Sequence, residues 1–173
     1  MMSNHERARP PAGAFAFWLG VPTRALYGGL VSFAAVTGLL LGIGRRAGTP
    51  WRPLNAAAHL LIGARADGVW NFQPDVTPMG CLVVLVLSMM AGFVAACVTV
   101  SRRTPYLILA AGSVAIVGYF LHRQLAVRSP GGLSVLLSVG EFRALYLTLA
   151  IALAVGIRLA PVAHAGSRLQ VAG

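Results

Sequence analysis

Four polar side chains in this sequence have the types and placement that chemistry would need: Asn55, His59, His122 and Glu141. Asn55 and His59 stand four residues apart in RPLNAAAHLLIG, a spacing that puts both on one face of a helix. An imidazole can carry a proton near neutral pH or ligate a metal ion. A haem or metal site in a helical bundle needs such groups to converge from facing helices. His5 and His164 fall in terminal tails, which leaves His59 and His122, with Glu141 on the same side of the chain's expected topology. A cluster of His59, His122 and Glu141 is therefore permitted as a ligand-binding site for a proton, metal or cofactor. The competing interpretation makes each histidine an interfacial polar residue bonded to backbone or water. No cofactor is predicted, and haem or metal at His59 and His122 stays open.

The elements that must position these residues follow from composition. The chain has 173 residues, of which 57% are hydrophobic and only 10% charged, with a mean hydropathy of +0.76. A soluble domain carries about 25% charged residues, so the bilayer is this chain's solvent. All fourteen basic residues are arginine, against four acids, for a net charge of +10. The arginines stand singly or in pairs at the ends of apolar runs, where they reach lipid headgroups. That reading is preferred to a nucleic-acid footprint, and no nucleic-acid partner is expected.

The fold class expected is all-α: a polytopic membrane protein of four transmembrane helices, at about 23–43, 78–100, 105–121 and 142–159. A short interfacial or re-entrant helix, about 53–63, lies between spans one and two. It begins at Pro53, stops at Gly63 and is too short to cross, since eleven residues give about 16 Å of helix. Residues 1–13 and 162–173 read as disordered tails around a single domain, 14–161. The apolar run after Arg7 and Arg9 ends at Pro22 and Arg24 without a small-residue cleavage site, so no signal cleavage is expected. Phe15, Phe17 and Trp18 suit the headgroup level. Ser101–Pro105 is a tight connection that makes spans two and three antiparallel neighbours.

Small residues recur on the spans: Gly28, Ser32, Ala35, Gly38 and Gly42 on the first, Ser88, Gly92 and Ala96 on the second, Ala152, Gly156 and Ala160 on the fourth. Such strips let helix backbones approach closely. Packing within the bundle is the preferred use, and a homodimer seam at Gly38-xxx-Gly42 the alternative. Cys81 and Cys97, sixteen positions apart on one helix and so about 24 Å apart, cannot pair. Seven arginines fall on each side of the membrane, so charge does not decide orientation; the tight turn at Arg102-Arg103 tips the expectation to cytoplasmic termini.

No GxSxG, HExxH, paired acidic motif or phosphate-cradling glycine loop occurs, and an enzyme is not expected. The first three spans have no ionisable residue in their central turns, where a coupled transporter needs one. The chain is similar in size and span count to small four-helix multidrug exporters but lacks their first-span glutamate. Its GxxxG first span followed by RPLNAAAHLLIG and three more spans resembles small uncharacterised bacterial inner-membrane proteins. That likeness implies a multi-pass inner-membrane location and no activity. The expected function is a non-enzymatic structural or accessory subunit, packing against itself or a larger membrane complex within the lipid bilayer. The alternative is a small-molecule-binding or transport protein with a polar site at the membrane interface.

Overall fold

The four runs whose middle turns lack charge become four long helices. The computed structural model describes residues 12–99, 103–128 and 131–161, with side chains from residue 20 onward. The first helix, α1, spans Ala12–Arg46. Two short pieces follow, α2 (Arg52–Ala57) and α3 (His59–Ile62), and then a 3-10 turn at Gly63–Ala66. The remaining helices are α4 (Thr77–Val98), α5 (Thr104–Arg128), α6 (Leu133–Leu136) and α7 (Val139–Leu159). Residues 20–46 of α1, together with α4, α5 and α7, are each long and apolar enough to cross a membrane. The protein is an all-α polytopic membrane protein with a short bent helix between its first two spans.

The helix bounds differ from expectation in three places. Helix α1 runs through Pro22 and includes Ala12 and Gly13, which the sequence places in the tail; a membrane helix tolerates an internal proline because neighbouring groups satisfy the freed carbonyl. Helix α5 continues past Leu121 to Arg128, carrying His122 two turns inside its end. Helix α7 starts three residues early, because Ser138 and Glu141 cap it. The expected tails at 1–11 and 162–173, and the side chains of Phe15, Phe17 and Trp18, lie outside the described residues.

Helix α1 is the centre of the bundle, packed most extensively on α4 and next on α7, while α5 leans on α7 and meets α4 only lightly. Spans two and three are therefore neighbours chiefly through their connection. The reason is where small residues let backbones meet. A Cβ on Gly92 would lie 2.6 Å from the Gly29 amide nitrogen, and one on Gly156 would lie 2.6 Å from the Tyr27 carbonyl and 2.7 Å from Gly28 Cα. Gly28, Gly92 and Gly156 thus form one three-helix seam, extended by buried Ser32, Ser88, Ala96, Ala152 and Ala160. Gly38 and Gly42 do not belong to it: each is exposed, and a Cβ there would meet nothing within 4 Å. At this level of α1, Val36, Leu40 and Ile43 take the inner face instead.

Candidate functional site

The stretch between the first two spans divides at Ala58. Five of the six residues of α2 are buried and none of α3. Leu54 and Ala57 enter the main core with Leu40, Val84, Leu137 and Phe142, so α2 dips into the end of the bundle. Gly80 makes this possible: the Leu54 carbonyl rests against its Cα, where any side chain would overlap it. Past Ala58, whose N–H is shared by the Leu54 and Asn55 carbonyls, α3 turns outward with Leu60 and Leu61 exposed. Trp70 and Phe72 are exposed as well, and Arg52 lies over the Trp70 ring at 3.7 Å while Trp51 meets Phe72 edge-on. Aromatic rings and exposed leucines at this level suit the headgroup zone.

Asn55 is fully buried and fully used. Its amide donates to the carbonyls of Val69 (3.1 Å) and Asn71 (2.9 Å), and its Oδ1 accepts from the Thr77 hydroxyl at 2.7 Å. Thr77 Oγ1 in turn accepts from the Gln73 amide at 3.0 Å. One side chain therefore ties the 69–73 loop and the start of α4 to α2. His59 does not share this site. Its Nδ1 meets Asp67 at 2.9 Å, Asp67 Oδ1 also accepts from the Gly132 amide at 3.0 Å, and the ring packs on Gly131. The His59–Asp67 pair latches the loop before α6 to the outer half of the segment.

His122 and Glu141 are elsewhere again. His122 Nδ1 is 2.9 Å from the Tyr146 hydroxyl, and its ring stacks edge-on against Phe142 in a cluster that Tyr119 completes. Glu141 Oε2 accepts from the Ser138 amide (2.9 Å) and hydroxyl (2.8 Å), the return half of a capping box at the N-terminus of α7. Asn55, His59, His122 and Glu141 thus have four separate sets of partners, and the His59, His122, Glu141 cluster permitted by topology does not assemble. Among the described residues no three His, Cys, Asp or Glu side chains converge as ligands for a metal ion.

Several of these partners had a signal in the sequence. Ser138-xx-Glu141 is the S-x-x-E pattern of a capping box, and Tyr119/His122 with Phe142/Tyr146 are aromatic pairs at helical spacing. Asp67, in a polar turn eight residues beyond His59, had no local signal, because the bend at Ala58 decides the pairing. Comparison of the chain with protein-family models, with curated proteins and with solved structures finds no match.

Proposed function

We propose that this integral membrane protein is a non-enzymatic structural or accessory subunit, packing against itself or a larger membrane complex. The observation that carries this reading is the engagement of every candidate polar group by a structural partner within the chain: Asn55 by two carbonyls and Thr77, His59 by Asp67, His122 by Tyr146, Glu141 by Ser138. Each holds elements together, and none is aimed with another at a common point. The surface offered to a partner is the outer side of α1, where Leu30, Gly38 and Gly42 are exposed. Small residues there permit a close helix crossing that the chain's own bundle leaves unused. The likeness of the GxxxG span and RPLNAAAHLLIG segment to small bacterial inner-membrane proteins supports placing it in such a membrane.

Native mass spectrometry of the full chain extracted in mild detergent tests this. The expected result is an oligomer or a complex of fixed stoichiometry, lost in the double variant Gly38→Leu/Gly42→Leu while the bundle stays folded. A folded wild-type monomer that still supports its cellular role would overturn the proposal.

A further inference from the structure

Helix α5 has 25 residues, about 37 Å at 1.5 Å per residue, against a hydrocarbon core of about 30 Å. A helix of that length outruns the core, and its last turns, at the end opposite the Thr104–Arg158 hydrogen bond (2.7 Å), are long enough to reach the headgroup zone. There they form an open cleft of about 420 Å³ with α6 and the first turns of α7. Two features of its walls stand side by side. Val127, Val135 and Val139 are 81%, 72% and 65% exposed, among the barest large apolar side chains of the protein. Between them the cleft is lined by Arg123 and Arg143, with Phe142 beneath. Among the described residues neither guanidinium has a carboxylate partner within 4 Å. The carboxylate nearest in sequence, Glu141, is occupied with the Ser138 cap.

We propose that this cleft binds one anionic phospholipid, its phosphodiester between Arg123 and Arg143 and its acyl chain along Val127, Val135 and Val139. The assignment follows from complementarity. A guanidinium matches phosphate oxygens with paired N–H donors, and basic pockets between spanning helices take anionic headgroups. The bare valines need an apolar cover that a free anion lacks. The neighbouring cleft of about 400 Å³ on the other side of α6 is a poorer candidate: its Arg52 is stacked on Trp70 and its Asp67 would repel an anion.

The test titrates the full-length protein in detergent with dioleoyl phosphatidylglycerol, with dioleoyl phosphatidylcholine and with inorganic phosphate, reading bound species by native mass spectrometry. One phosphatidylglycerol per chain is expected to be retained over phosphatidylcholine. Arg123→Gln/Arg143→Gln should weaken it by at least about tenfold, and Arg45→Gln/Arg65→Gln, which removes the same charge elsewhere, should not. Val135→Glu, at an exposed position that leaves both arginines in place, should weaken it too, which guards against loss of folding in the double variant. Equal retention of the two lipids, or unchanged retention in the Arg123/Arg143 and Val135 variants, would overturn the proposal. So would inorganic phosphate that competes as well as the lipid, which would make the site one for a free anion.

Discussion

Helices α2 and α3 are consecutive pieces of one eleven-residue apolar segment, yet they live in different media. Helix α2 is enclosed by α1, α4 and α6, with Leu54 and Asn55 inaccessible to solvent. Helix α3 leaves Leu60 and Leu61 exposed and is held more lightly, by the His59–Asp67 pair and by Ile62 on the small cluster of Ala58, Ala66 and Val76. Similar residues thus do opposite work four positions apart. A buried amide must have every hydrogen bond met, whereas a partly exposed side-chain pair such as His59–Asp67 adds little. The first half of the segment should therefore carry the fold and the second should be nearly dispensable to it, a contrast that substitutions can break.

The largest effect is expected beneath α2. In Gly80→Val the new side chain would overlap the Leu54 carbonyl, contact with backbone that cannot swing aside. Either α2 leaves its place or α4 does, and each exposes the core around Leu54, Ala57 and Val84. The variant should fail to accumulate as folded protein, judged by size-exclusion profile and helical circular dichroism in detergent. A normal profile would mean that α2 is not seated on α4.

Second comes Asn55→Ala. It strands the buried Thr77 hydroxyl and the part-buried carbonyls of Val69 and Asn71, at about 1–3 kcal/mol for the buried group and less for the two that water can reach. A loss of about 2–3 kcal/mol in denaturant titration is expected, together with faster proteolysis of the 69–73 loop. A loss below about 1 kcal/mol would mean that water replaces the amide and that the segment is wetter than its burial indicates.

Asp67→Asn should matter less. It keeps the shape and removes the charge facing His59, an exposed pair worth about 0–1 kcal/mol; the Gly132 amide can still donate to the Asn oxygen. The global transition should barely move, while protease access to the loop before α6 rises, because that contact latches the loop. A change in global stability as large as that of Asn55→Ala would erase the distinction between the two halves.

This contrast also marks how far the sequence could be read. The four spans were legible because uncharged runs of such length have no other use, and the Gly28, Gly92 and Gly156 seam because small residues at helical spacing mean close packing. What was not legible depends on three-dimensional placement. Asn55 and His59 share a face of an ideal helix, but the break at Ala58 sends one inward and the other to Asp67. Gly38 and Gly42 read as a continuation of the Gly28 strip, yet α1 presents them away from α4 and α7. The aromatic cluster joins residues more than twenty positions apart, so its pieces were visible but their meeting was not.

The smallest effect sharpens the comparison most, because it uses one substitution type in both halves. Leu54→Ala removes a core side chain that is 1% exposed, and cavities of this kind cost about 2–5 kcal/mol. Leu61→Ala removes a side chain that is 55% exposed on α3 and leaves no cavity, so the folded state should change by less than about 0.5 kcal/mol. Its loss should register instead against the membrane. A leucine at the interface contributes apolar burial in the acyl boundary only when lipid is present, so any destabilisation seen in bilayer nanodiscs should shrink in detergent. Equal effects of Leu54→Ala and Leu61→Ala in both media would show that α3 packs on the bundle as firmly as α2, and the division at Ala58 would lose its meaning.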